Sequence, residues 1–206
     1  MNFENSVFIN CPFDISYIND LLKPMIYVII KNGLSPRLAS EVSDSGQVRL
    51  EKITEIIKSC KYGIHDLSLV KSKKAKEFAR MNMPFELGID YGLRISGVAP
   101  LNTKQFLILE ATRYDYMKAI SDINGFDIKV HENNTQKLFD CLYSWSSETL
   151  KINKQDPPLK LFDDFIEFNA SLFDEKAKQL GSEKLATDYI EKVSIPEYIQ
   201  EIQERL

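Results

Sequence analysis

The sequence has few cysteines and histidines, and the cysteines it has do not form a recognisable pattern. Cys11, Cys60 and Cys141 are scattered, form no C-x-x-C pair and have no histidine at metal-ligand spacing. This arrangement argues against a disulfide framework and against a zinc site. It predicts a reduced, cytoplasmic protein that holds no metal.

The sequence also lacks an excess of positive charge and any long apolar run. Its formal net charge is −4, which argues against a general nucleic-acid binder. The longest apolar run, residues 25–30, is much too short to span a bilayer, and the first residues do not resemble a signal peptide. We therefore expect neither a membrane nor a nucleic acid among the partners.

What the chain does have is apolar material in short segments that alternate in type. With 206 residues, of which 44% are hydrophobic, it suits one α/β domain plus an appendage. Apolar runs predict strands at 6–11, 34–42, 62–67, 105–110 and 126–131, and helical spacing predicts helices at 15–32, 48–60, 85–95, 114–123 and 136–150. This order predicts a mostly parallel five-stranded sheet between helices, a three-layer sandwich over residues 1–152.

The segment 85–95 is ambiguous, because its apolar residues alternate almost strictly, which favours a strand. Three features favour a helix. Pro84 suits a first helical turn, Asp90 and Arg94 have the spacing of a helical ion pair, and a crossover is needed between two parallel strands. We predict a helix.

Residues 157–206 follow a Pro-Pro break and differ in character from the rest. Apolar residues at helical spacing predict two or three helices there, with breaks at Gly181 and Pro196. This extension is too small to hold a core of its own. It should dock on the sheet domain or on a second subunit, and we expect a homo-oligomer.

Open parallel sheets bind ligands outside the carboxyl ends of their strands. Eight polar residues fall at or just after predicted strand ends, or at the start of the helix that follows: Asn10, Asp14, Glu41, Ser45, Asp66, Asn82, Glu86 and Arg113. The turn 43–46 offers backbone N–H groups to a phosphate. The basic segment 71–80 would guide an anionic nucleotide.

Glu86 is the strongest candidate in this set. In the first turn of a helix, the macrodipole and free N–H groups would keep its carboxylate ionised; capping the helix is an equally good interpretation. Gly88 and Gly92 suggest that a strand or a ligand approaches this helix closely. Asp66 suits either a ribose hydroxyl or a cap on the following loop, and His65 should point into a helix–sheet layer.

Three motifs carry a resemblance that covers about residues 5–150: Val-Phe-Ile-Asn-Cys-Pro-Phe-Asp at 7–14, Tyr-Gly-Ile-His-Asp-Leu-Ser at 62–68 and Asn-Met-Pro-Phe-Glu-Leu-Gly at 82–88. The chain resembles the TIR-domain and nucleoside 2-deoxyribosyltransferase group of Rossmann-like proteins, in a bacterial branch with the third motif. The resemblance implies a flavodoxin- or TIR-like sheet. It covers none of the last 50 or so residues.

The resemblance implies a nucleotide N-glycosidase or ribosyl transferase, with NAD the leading substrate and no separate cofactor. Glu86 would be the catalytic carboxylate, and Asn10 and Asp66 would position the sugar. TIR-like enzymes serve in bacterial antiphage defence or nucleotide signalling. The chain has Asn82-Met83-Pro84-Phe85 where the transferases carry Asp-x-Gly-Thr and many TIR enzymes carry Trp-Cys. A non-catalytic nucleotide sensor and a TIR-like interaction module are the alternatives.

Overall fold

The computed structural model describes residues 2–41, 46–69, 81–153 and 155–206. Within these residues, five parallel strands form one sheet in the order β2-β1-β3-β4-β5. The strands are β1 (Ser6–Asn10), β2 (Ser35–Arg37), β3 (Tyr62–Asp66), β4 (Gln105–Glu110) and β5 (Ile128–Val130). This is the strand order of flavodoxin-like sheets. The predicted three-layer α/β sandwich with a C-terminal helical extension is confirmed.

Helices cover both faces of the sheet and form the C-terminal extension. They are α1 (Ile15–Tyr17), which continues through a π-helical turn (Ile18–Leu22) into α2 (Lys23–Lys31), then α3 (Arg49–Lys58), α4 (Asn82–Ile95), α5 (Thr135–Glu148), α6 (Pro158–Leu180), α7 (Glu183–Lys192) and α8 (Ile195–Gln203). Short 3-10 turns lie at Phe3–Asn5, Leu101–Thr103, Tyr116–Lys118 and Ser121–Ile123. No helix in the described part of the chain combines the length and apolar character needed to cross a membrane.

The inner strand β1 is buried along its whole length and separates two packed layers. Val7 and Ile9 face the layer of α2 and α5, whereas Phe8 faces α3 and α4. Successive side chains of a strand point to opposite faces. The same alternation determines which polar residues can lie on one face of the sheet and contact one another.

Pro24 changes the geometry of its helix without ending it. Proline has no N–H, and its ring clashes with the carbonyl four residues earlier. The helix widens into the π turn at Ile18–Leu22 immediately before, and α2 then starts at Lys23 with Pro24 in its first turn. The helix therefore accommodates Pro24 with a π turn.

Several predicted bounds were wrong. The strand predicted at 34–42 extends only from Ser35 to Arg37, and the helix predicted at 114–123 is a pair of 3-10 turns, so the β4–β5 crossover has no α-helix. The break predicted at Pro196 lies just before it, between Lys192 and Ile195, and Pro196 itself lies in the first turn of α8, where its fixed φ suits a helix start. Gly181, with φ +66°, does end α6 as predicted.

The helix α4 settles the ambiguity over residues 85–95. Met83 and Leu87 pack in one apolar cluster, and Ile89 and Leu93 pack against a second one. Gly88 and Gly92 are both exposed, and a Cβ atom added to either would have no neighbour within 4 Å. The predicted close approach of a strand at these glycines was therefore wrong, and the approach of a ligand stays a prediction.

Replacing Gly88 or Gly92 by alanine should stabilise the fold. Each change removes the entropic cost of a helical glycine, about 1 kcal/mol, and the added methyl group meets open space. Urea unfolding of each variant measures this directly. Gly63→Ala is the matched control and should destabilise, because its Cβ would lie 2.8 Å from buried polar atoms. A loss of stability in Gly88→Ala would contradict the open face.

The C-terminal extension shares a core with the sheet domain. Phe165, Phe168 and Tyr198 belong to the same apolar cluster as Tyr27 of α2 and Phe139 of α5. The ring centroids of Tyr27 and Phe165 lie 5.5 Å apart, and Lys23 donates a hydrogen bond to the carbonyl oxygen of Ile190 (2.5 Å). The extension therefore covers the outer face of α2 and α5.

Candidate functional site

A small cleft opens at the carboxyl end of β1, and we call it the β1 cleft. Its volume is about 130 Å³. It is lined by Ile9, Asn10, Cys11, Pro12, Phe13, Ala39, Arg49, Asn82, Met83 and Glu86. The chain leaves β1 for β2 on one side, and β3 lies on the other. This is the switch point at which open α/β sheets bind their ligands.

Glu86 lies in this cleft, but not in the position predicted. Because α4 begins at Asn82, Glu86 belongs to its second turn, where the macrodipole and free N–H groups no longer act on it. Its side chain is 7% exposed. Burial raises the pKa of Glu86 to about 7, against a smaller lowering by Arg49. The expectation of a firmly ionised carboxylate was wrong.

The raised pKa allows Glu86 to exchange a proton near neutral pH, which an ordinary glutamate does not do. Among the described residues, Glu86 has no side-chain hydrogen-bond partner, and α4 has no side-chain cap at its start. Glu86 is therefore not a helix cap. A carboxyl with a pKa near neutrality can both release and accept a proton at working pH, and such groups concentrate at functional sites.

Asn10 is held in place from two sides. Its Nδ2 donates to the carbonyl oxygen of Met83 in the first turn of α4 (2.8 Å) and lies 3.1 Å from Nδ1 of His65. Asn10 and His65 are register partners in neighbouring parallel strands, so both side chains point toward α4. His65 points into this helix–sheet layer, as its position in the strand predicted.

His65 continues into a buried chain of polar groups, which we call the His65 network: Asn10, His65, Asp90 and Lys104. His65 Nε2 lies 3.1 Å from Oδ2 of Asp90, and Lys104 Nζ lies 3.1 Å from Oδ1 of Asp90, an ion pair rather than a well-aligned hydrogen bond. Asn10 is 4% exposed and the other three are exposed by 1% or less.

The Lys104 end of the network is tied to the backbone at the end of α3 and just beyond it. Lys104 Nζ donates to the carbonyl oxygens of Ile57, at 2.8 Å, and of Cys60. Gly63 makes room at the centre, since a Cβ there would lie 2.8 Å from both Asp90 Oδ2 and His65 Nε2. The network thus requires glycine at this place in β3.

Asp66 lies on the opposite face of the sheet and does not line the β1 cleft. It is fully buried and accepts hydrogen bonds from the Ser68 N–H (2.8 Å), from His131 Nε2 (3.0 Å) and from the hydroxyl groups of Tyr17 and Ser68. Burial raises the pKa of Asp66, but these bonds, His131 first, outweigh it and lower the pKa overall. The structure shows the loop cap and leaves Asp66 with no exposed surface, and its contact with a sugar hydroxyl stays a prediction.

The cluster around Asp66 has the residue types of a hydrolase triad but not the geometry. The Asn133 N–H donates to His131 Nδ1 (3.0 Å), so the ring hydrogen sits on Nε2. Ser68 Oγ and Asp66 Oδ2 both contact that same Nε2, each at 3.0 Å. In a working triad the serine and the carboxylate use different ring nitrogens. This cluster therefore joins β3 to the end of β5.

The other predicted residues are distributed along the sheet edge. Asn82 lines the β1 cleft, Asp14 lines a separate cavity of about 300 Å³ with Tyr17 and Ser68, and Arg113 lines a third. Glu41 lies next to Arg37, whose Nε donates to it at 2.8 Å. Ser45, with most of the turn 43–46, and the basic segment 71–80 lie outside the described residues.

Cys11 also lines the cleft. Burial, then the charges of Asp66 and Glu86, raise the pKa of its thiol well above the ordinary value. A thiol that stays protonated is a poor nucleophile. In the described part of the chain, no group of three or more metal-binding side chains is placed to hold an ion.

Sequence reasoning missed Arg49, Lys104 and the way His65 holds Asn10. The predicted pairing of Asp90 with Arg94 was wrong, because Asp90 pairs with Lys104 and His65. One signal was present: Asp90 follows Glu86 by four residues, which places both carboxyl groups on one face of a helix.

The comparisons with known proteins do not extend this account. No protein-family model matches the chain, and no curated protein matches it significantly. The likeness to the TIR and deoxyribosyltransferase group therefore stays a prediction from the three sequence motifs.

Proposed function

We propose that the chain is a nucleotide N-glycosidase or ribosyl transferase, that NAD is its leading substrate, and that the β1 cleft is its active site. One observation carries the proposal: Glu86 is a buried carboxyl with a pKa raised to about 7 at the switch point of a parallel sheet. Asn10 and Arg49 share the cleft with it. The sequence motifs, which place a glutamate of the enzyme families at Glu86, support the same conclusion.

The chemistry requires Glu86 in its ionised form. When the bond between C1′ and the base nitrogen breaks, the base leaves with the electron pair, and positive charge develops on the sugar. An ionised carboxylate beside C1′ stabilises that charge or forms a covalent bond to it. Water then completes a hydrolysis, or another acceptor completes a transfer.

The size of the β1 cleft indicates which part of a nucleotide it would take. Its volume of about 130 Å³ is below the roughly 300–1,000 Å³ of typical small-molecule sites. The cleft of the described residues would therefore hold the reacting sugar, with the remainder of the nucleotide outside. Arg49 is exposed at the start of α3, and a guanidinium group suits a phosphate.

Glu86→Gln should reduce nicotinamide release from NAD by roughly a thousandfold or more, because the amide cannot become an anion. In the wild type the rate should rise with pH, with a midpoint near 7, as Glu86 loses its proton. Release of nicotinamide, followed by chromatography, measures both. Glu51→Gln, at an exposed glutamate of α3, is the control and should leave the rate unchanged. Equal release by wild type and Glu86→Gln would overturn the proposal.

The alternative is a non-catalytic nucleotide sensor that uses the same cleft. In that case calorimetry should show tight binding of NAD, and no turnover should be observed.

Self-association is a separate proposal, which light scattering of the full chain tests. Removing residues 157–206 would not test it cleanly, because these helices cover the shared core around Tyr27 and Phe139. A role in bacterial antiphage defence or nucleotide signalling rests on the sequence resemblance alone.

A further inference from the structure

We infer that Asn10 offers the β1 cleft a hydrogen-bond acceptor and no donor, so the cleft selects a ligand that brings a hydroxyl group. The inference rests on the proposed function in that it concerns the same cleft. It adds that Asn10 accepts the hydrogen bond in this contact and that His65, Asp90 and Lys104 fix its orientation. The ligand class it names is a nucleotide whose ribose keeps a free hydroxyl at the bound position.

The two amide hydrogens of Asn10 have different partners. The Met83 carbonyl oxygen, 2.8 Å away, can only accept a hydrogen bond, so the atom facing it must be Nδ2. The second hydrogen on Nδ2 points toward His65 Nδ1, at 3.1 Å. Both hydrogens are therefore used within the protein. Oδ1 accepts no hydrogen bond from the described residues, and it is the polar atom that this side chain leaves for the cleft it lines.

The neighbours of Asn10 prevent its amide from turning over. A flipped Asn10 would place Oδ1 against two acceptors, the Met83 carbonyl oxygen and His65 Nδ1. His65 Nδ1 remains an acceptor because the ring hydrogen sits on Nε2, where Asp90 accepts it (3.1 Å). Asp90 is in turn held by the buried ammonium group of Lys104. His65, Asp90 and Lys104 are thus positioning residues for Asn10.

The acceptor on Asn10 determines which ligand group binds beside it. An amide oxygen in a narrow cleft binds an O–H or N–H donor and repels a phosphate or carboxylate oxygen. Leaving such a buried acceptor without a partner is unfavourable by about 1–3 kcal/mol. A ribose hydroxyl meets this need, whereas a ligand that lacks the hydroxyl does not.

The test is binding of NAD and of its analogues lacking the 2′- or the 3′-hydroxyl of the nicotinamide ribose. Calorimetry on Glu86→Gln, which suppresses turnover, should show one deoxy analogue binding roughly 10-fold or more weakly than NAD. In Asn10→Ala combined with Glu86→Gln, NAD itself should bind more weakly, and that difference between the ligands should disappear. Deoxy analogues that bind as well as NAD, or no binding of NAD at all, would overturn the inference.

Two variants of His65 separate positioning from folding. The amide oxygen of His65→Asn lies near the place of Nδ1 and keeps an acceptor for Asn10, whereas His65→Gln keeps only the donor toward Asp90. Discrimination between NAD and the deoxy analogue should survive in His65→Asn and fall in His65→Gln at similar melting temperatures. Equal discrimination in both variants would show that His65 does not fix the orientation of the Asn10 amide.

The outcomes also separate this inference from the proposed function. Hydroxyl-dependent binding in a wild type that does not cleave NAD would refute the enzyme and keep the acceptor role of Asn10. Cleavage of NAD without any hydroxyl discrimination would keep the enzyme and refute that role.

Discussion

Asp90→Ala is expected to lower the free energy of unfolding by about 3–5 kcal/mol, because it leaves the Lys104 ammonium group buried without its counter-charge. Both side chains of this ion pair have no exposed surface. The change also removes the acceptor of the His65 Nε2 hydrogen. Urea unfolding at neutral pH, followed by circular dichroism, measures the loss.

Two controls show whether burial of the ion pair is the cause. Asp188→Ala breaks an exposed pair with Lys192, whose side chains are 57% and 64% exposed, and should change stability by at most about 1 kcal/mol. Adding Lys104→Met to Asp90→Ala removes the stranded charge and should recover about 1 kcal/mol or more, which a double-mutant cycle detects. An Asp90→Ala loss no larger than that of Asp188→Ala would contradict this account of the network.

The fold could be predicted from local patterns, and the errors lie where those patterns are weak. β1 and β4 are continuous apolar runs, and parallel strands buried on both faces have that pattern. The segment 114–123 has helical composition, but Tyr116 is the only buried residue in its two 3-10 turns. One buried side chain does not stabilise a full helix. Of the strand predicted at 34–42, only Ser35–Arg37 pairs with β1.

The site was predictable only in part, because the rule about strand ends specifies an edge of the sheet and not a face. Asn10, Asn82 and Glu86 meet in the β1 cleft as that rule suggests. Asp66 does not, since Asn10 pairs in register with His65 and the next residue must point to the other face. Alternation within β3 would have selected His65 instead. The pairing of Asp90 with Lys104 depends on three-dimensional packing, which no spacing in the sequence encodes.

Glu86→Gln should make the folded protein more stable at pH 8 by about 1–3 kcal/mol, while the same change removes the proposed activity. The ordinary glutamate pKa of 4.5 rises to about 7 in the fold because burial disfavours the charged form. A difference of that size corresponds to at most about 3 kcal/mol, and contact with solvent in the cleft reduces it. Glutamine keeps the shape of the protonated side chain and never carries the charge.

The pH dependence of this difference identifies its cause. Below pH 4.5 the carboxyl is protonated in both the folded and the unfolded chain, so wild type and Glu86→Gln should be equally stable. As the pH rises from 4.5 to 7, the unfolded chain releases the proton and the folded chain retains it, so the wild type loses stability relative to the variant. Above pH 7 the difference should be constant. Unfolding curves at pH 4, 6 and 8 test this, and a stability difference that does not change with pH would show that Glu86 is not a buried, proton-exchanging carboxyl.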